Sequence, residues 1–193
     1  MALYTSTYLK GLSKNRSLNE SIRFFSSSIK SQTSFDIFLS HSFLDKDEVE
    51  GLYIELSKLG YSVYVDWIVD PHLNRNNVTK DSAILIRIRM LSCKSLLLAT
   101  STNSAISKWA PWELGYIDGN TSKCAIIPIS SETIAPDSYK GIEYLSLYPF
   151  VKKVPTVGLG EKLFIIEEEN KYVLFDDWLI KGTQPQIQSI NIF

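Results

Sequence analysis

The sequence predicts an α/β fold: a doubly wound, mostly parallel sheet with helices on both faces. Three observations lead there. Short apolar runs alternate with segments of helical period. The runs are rich in β-branched and aromatic residues, as strands buried on both faces are. The stretches that follow them are polar, the kind that gathers at one edge of such a sheet. A chain of 193 residues has room for one domain with an appendage and not for two full domains.

The elements follow in order. Residues 1–34 form a serine-rich segment with five basic residues (Lys10, Lys14, Arg16, Arg23, Lys30) and one acid, Glu20. Ser17-Leu18-Asn19-Glu20 has the form of a capping box, and Leu18, Ile22, Phe25 and Ile29 recur at helical spacing, predicting an amphipathic helix over 18–29. Such a helix is a transit peptide, a docking element for a partner or sister subunit, or a helix packed on its own domain. A strand is predicted at 35–40, then a polar run, then a helix carrying Val49, Leu52, Tyr53, Leu56 and Leu59 and stopped by Gly60. A second strand spans 61–67 and leads into a long polar loop, 68–80, with Pro71 and an asparagine run. A helix over about 79–92, a strand at 95–100, a helix near 111–119 and a strand at 124–129 come next. A fifth strand is predicted at 144–151.

Beyond that point, Gly158 and Gly160 mark a turn that lacks the third glycine of a dinucleotide fingerprint. Residues 163–166 and 172–174 read as a β-hairpin, with Trp178 and Leu179 placed to pack it onto the core. The polar tail from Gly182 is expected to be loose. The chain thus divides into an N-terminal segment 1–34, a domain 35–151 and a C-terminal extension 152–193 that packs on the domain.

Composition excludes several function classes. Lys plus Arg total 20 against 21 for Asp plus Glu, so the basic surplus that nucleic-acid binding needs is missing. No run approaches the 18 or so apolar residues of a membrane span. Cys93 and Cys124 are too few for a disulfide framework and read as buried thiols of a cytoplasmic protein. His41 and His72 lie in separate segments with no cysteine at ligand spacing, so no metal site is expected. Ser42 follows His41 directly, but no G-x-S-x-G elbow accompanies them.

The most informative stretch is Ser107-Lys108-Trp109-Ala110-Pro111-Trp112-Glu113-Leu114-Gly115-Tyr116. Pro111 places a helix start at Ala110 or Pro111, which puts Glu113 in the first turn, where the helix dipole favours an anion. Trp109 sits on the incoming loop with a flat face to offer. A fixed carboxylate beside an aromatic ring suits a planar cation.

Phe35-Asp36-Ile37-Phe38-Leu39-Ser40-His41-Ser42 resembles the first box of Toll/interleukin-1 receptor (TIR) domains, and 107–114 resembles the segment holding the catalytic glutamate of the enzymatic members. The strand at 61–67 with its long loop is similar to the family's second strand and BB loop. The likeness covers about 34–151 and is greatest to the stand-alone bacterial TIR proteins of anti-phage systems such as Thoeris. It implies a flavodoxin-like, five-stranded, mostly parallel sheet, to which 1–34 and the hairpin are additions. It also implies cleavage of NAD⁺, as substrate and not as cofactor, by an NAD⁺ glycohydrolase or ADP-ribosyl cyclase making a signalling nucleotide.

By the same resemblance Glu113 is catalytic and Trp109 stacks on a ring of the substrate. Asp66 touches a ribose, and His41, Ser42 and Phe43 line the pocket. Arg75, Lys80 and Arg87 are candidates for the phosphates. Implied partners are further copies of the chain, through TIR–TIR contacts of the BB loop, and a downstream effector sensing the product. The alternative is a non-catalytic adaptor acting through assembly, with Asp70 and Arg75 as contact charges. A response-regulator-like domain fits less well, because Asp36 lacks the paired carboxylates of a magnesium site. Two departures stand out: Ala110-Pro111-Trp112 replaces a cysteine-bearing linker, and no glycine-rich phosphate cradle exists. Trp109 and Trp112 together suggest a narrowed, dry pocket, which favours cyclisation over hydrolysis.

Overall fold

The computed structural model describes residues 3–15, 33–73, 79–101, 107–131, 143–156, 158 and 160–188. The helix expected over 18–29 and Arg75 lie outside them.

A short strand β1 (Tyr4–Thr5) leads into helix α1 (Ser6–Lys14), whose first turn is capped by the Thr5 hydroxyl accepting from the Tyr8 amide. Sequence periodicity did not reveal this helix. Strand β2 (Phe35–Ser40) is followed by a 3₁₀ turn (Phe43–Asp45) and helix α2 (Lys46–Lys58). Strand β3 (Val63–Tyr64) ends early, because the chain turns into a single helical turn, α3 (Asp66–Val69), where a strand to 67 was expected. Helix α4 (Lys80–Leu91) opens on a Thr79/Ser82 capping box and precedes β4 (Cys93–Thr100). Helix α5 (Ala110–Thr121) leads to β5 (Cys124–Ser130).

The fifth parallel strand is β6 (Phe150–Thr156), several residues later than expected. Residues Glu143–Leu147 instead form a 3₁₀ turn, and the Tyr148 hydroxyl donates to Asp118 on α5 at 3.0 Å, which draws this stretch onto the helix. Lys152, Lys153 and Pro155 broke the apolar pattern that would have marked β6. The hairpin is longer than predicted: β7 (Gly160–Glu168) and β8 (Lys171–Leu174). After a π-helical turn (Asp177–Lys181), the tail returns as β9 (Gln186–Ile187) on β8, so the expected looseness does not hold there.

Among the described residues the sheet has nine strands where five were expected. Its order is β3-β2-β4-β5-β6-β7-β8-β9, with β1 paired to the end of β5. From β3 to β6 the pairing is parallel, and from β6 to β9 antiparallel. Two of the four added strands, β7 and β8, are the predicted hairpin, which joins the sheet at β6; the other two, β1 and β9, are two residues each, too short for alternation to expose.

Side chains alternate between two packed layers. Ile37, Leu39, Leu97, Ala99 and Ile127 meet Leu9 of α1, Leu52 and Leu56 of α2, and Trp178 and Leu179. Phe38, Leu96, Leu98, Cys124 and Ile126 meet Ile86 and Met90 of α4 and Ala110, Leu114 and Ile117 of α5. Helix α1 crosses α2 at Gly51, where a Cβ would fall 2.2 Å from the Leu9 carbonyl oxygen. Ser6 and Lys10 bond Glu48, and Tyr8 and Lys153 bond Glu55, so residues 3–15 are docked on the chain's own domain.

Candidate active site

The parallel strands β2 and β4 both end at one rim, and α5 begins there. Its first turn is set by the chain itself: Pro occupies the opening positions, Ser107 Oγ accepts from the Ala110 amide at 3.3 Å, and the Glu113 amide closes the first helical bond on Trp109 O at 2.9 Å. Ala110, Glu113, Leu114 and Ile117 are the buried positions of α5, a helical stripe that turns Glu113 towards the sheet and not towards solvent. Its exposure is 0 %. On β2, Ser40 lies on the same sheet face as Phe38, and its hydroxyl donates to Glu113 Oε2 at 2.6 Å. That hydrogen bond and the amide end of α5 offset part of the cost of burying a carboxylate.

Trp109 is half-buried just before α5, its ring edge-to-face with Trp112 at 5.5 Å. Trp112 lies on the outer side of the helix, 36 % exposed, its ring tilted 40° to that of Tyr116 at 6.1 Å. The dryness of the carboxylate comes from the sheet-facing stripe of α5.

His41 and Asp66 are brought to each other. Both are buried, and His41 Nε2 lies 3.5 Å from Asp66 Oδ1. Nδ1 faces the Leu39 carbonyl oxygen at 2.9 Å; that oxygen only accepts, so Nδ1 carries a proton. Protonation of Nε2 as well makes the contact an ion pair. Ser42 is buried and its hydroxyl caps the 3₁₀ turn by accepting from the Leu44 amide at 3.4 Å. Phe43, 64 % exposed, stands at the rim beside the exposed Leu44. Lys80 and Arg87 are exposed on α4.

Several rim residues escaped sequence reasoning. Ser40, Thr100 and Ser101 are polar residues at strand ends and Asp45 closes the 3₁₀ turn after β2, a signal that marks loops in general. Asp45 is buried and accepts from the Ser101 hydroxyl at 2.6 Å, which joins the loops after β2 and β4. Asp70, read as a contact charge, is bound within the chain: Arg89 grips it with two bonds of 2.8 Å and the Tyr64 hydroxyl donates at 2.9 Å. Neither cysteine supplies a thiolate, since burial pushes Cys93 up to about 12 and Cys124 higher still. Among the described residues no three His, Cys, Asp or Glu side chains gather as a metal site.

No family model matches the chain. It is 50% identical over 146 residues, 75% of this chain and 75% of the relative, to the Bacillus cereus (strain MSX-D12) protein "Probable 3' cyclic ADP-D-ribose synthase ThsB'". It is 28% identical over 95 residues, 49% of this chain and 25% of the relative, to the Cytobacillus dafuensis protein "Putative cyclic ADP-D-ribose synthase TIR2". Joined to the parallel α/β sheet and the buried rim glutamate, identity over three quarters of both chains shows that this chain belongs to the Thoeris-type bacterial TIR proteins.

Proposed function

We propose that this protein cleaves the nicotinamide–ribose bond of NAD⁺ and closes the remainder into a cyclic ADP-ribose. One observation carries the reading: a fully buried carboxylate, Glu113, fixed by Ser40 at the loop rim of a parallel sheet. The breaking C–N bond leaves its electron pair on nicotinamide, which departs neutral, and positive charge develops on the ribose as in glycoside cleavage. Glu113 stabilises that charge from a site where water does not screen it and accepts a hydrogen bond from a ribose hydroxyl. Trp109 lies next to Glu113's helix start with a ring for the departing pyridine. A sugar hydroxyl then attacks the anomeric carbon, its oxygen forming the new bond and its proton leaving to the carboxylate. The name of the ThsB' relative supports a product closed at a 3' position.

His41, Ser42, Phe43 and Asp66 serve the substrate from the neighbouring loops, His41 and Asp66 as a mutually oriented pair. The product is an anti-phage signal read by an effector, and the enzyme works in the cytoplasm, where NAD⁺ is available. It acts as an assembly of copies; the exposed apolar row Ile84, Ile88 and Leu91 on α4 supports this. Purified protein incubated with NAD⁺ tests the chemistry. Nicotinamide is expected by chromatography, with a product one water lighter than ADP-ribose by mass. Glu113→Gln should lower release at least about 100-fold with the fold intact. Equal turnover by both proteins overturns the assignment.

A further inference from the structure

Among the described residues one hydroxyl at this rim is buried with no hydrogen-bond partner: Thr100 Oγ1, on a residue 8 % exposed. Thr100 ends β4. Along that strand Leu96 and Leu98 pack in the layer that contains Ala110, Leu114 and Ile117 of α5, and Thr100 is the next residue on the same face. Ser40, which holds Glu113, pairs in register with Leu98. Thr100 therefore stands one pleat, about 6.6 Å, nearer the loops than the Ser40–Glu113 pair. Thr100 thus lies on the loop side of Glu113, on the same face of the sheet.

The chemistry of the position narrows what it is for. Valine would fill the same volume with nothing left unsatisfied, whereas a buried hydroxyl without a bond lowers stability. The hydroxyl both donates and accepts, while Glu113 as a carboxylate only accepts. A sugar hydroxyl satisfies both groups: it donates to the carboxylate and receives a hydrogen bond from threonine. The spacing of one pleat suits a single ribose.

We infer that Thr100 is a substrate-contacting residue whose hydroxyl binds the ribose held by Glu113. This rests on the reading of Glu113 given above. Thr100→Val and Thr100→Ser test it, each followed by thermal midpoint, nicotinamide release from NAD⁺, and calorimetric binding of ADP-ribose. Valine should leave the midpoint equal or raise it, yet weaken ADP-ribose binding and kcat/KM by about 10-fold or more, a pairing that a merely structural residue does not give. Serine should stay within a few-fold of wild type. Unchanged binding and turnover in Thr100→Val overturn the inference while leaving Glu113 in place, as does a serine variant as impaired as valine. Failure of the wild type both to bind ADP-ribose and to release nicotinamide overturns the reading of Glu113 and this inference with it.

Discussion

Glu113 and Ser40 are 73 residues apart in sequence and 2.6 Å apart in the fold. A serine at the end of a buried strand has one proton to give, and here it fixes the orientation of the carboxylate proposed above as catalytic. Ser40→Ala removes that hold while leaving charge and helix intact. The expected result is a kcat about 10- to 100-fold lower with KM changed less than about threefold. A parallel rise in KM, or an unaltered kcat, would show that the hydroxyl serves packing alone. The carboxylate itself was legible, because proline, tryptophan and acid in that spacing define a helix start. Its hydroxyl partners were not, since nothing in a run such as Leu39-Ser40-His41-Ser42 says which serine turns inward. His41 and Asp66 were each legible as site candidates, but not as a pair, because pairing depends on where β3 breaks into α3.

At the scale of elements, the first parallel strands are pinned by Asp36. Its carboxylate accepts from the Ser62 amide at 2.9 Å and hydroxyl at 2.7 Å, and pairs with Lys94 at 2.7 Å, so β2 is tied to the entrance of β3 and to β4. Burial works against its ionisation, but Lys94 and Ser62 outweigh burial and hold the carboxyl below its ordinary value of 3.8. A group depressed in the folded state stabilises the fold above its unfolded value, and that contribution is lost as pH falls through the lower, folded one. Asp36→Asn should therefore destabilise the protein at neutral pH and flatten the loss of stability below about pH 4. Denaturant melts at several pH values measure this; parallel profiles for the two proteins would contradict it. The helices α2, α4 and α5 were readable from period and caps. Helix α1 was not, because it is only nine residues long and its buried positions are Leu9 and Ser13, too few apolar anchors to declare a period.

At the scale of the molecule, the two layers are closed but the outer face of α4 is not. Ile84, Ile88 and Leu91 recur at helical spacing with exposures of 38, 56 and 60 %. Periodicity foretold the helix, yet a helix apolar on both sides conceals which side is covered. Ile88→Glu should keep stability within about 0.5 kcal/mol, as surface changes do, while shifting the protein to monomer in sedimentation or light scattering. If the variant and wild type share one mass at every concentration, α4 is not the assembly face.

The burial of Glu113 has a further consequence for the cell that makes the protein. NAD⁺ is shared with every dehydrogenase, and an acid permanently open to it would drain the pool in health. Glu113 shows no surface in the single chain, so under the catalytic role proposed for it turnover waits on its exposure. Nicotinamide release by the purified protein would then report how often that exposure occurs, and conformation more than metabolism would bear the cost of idling.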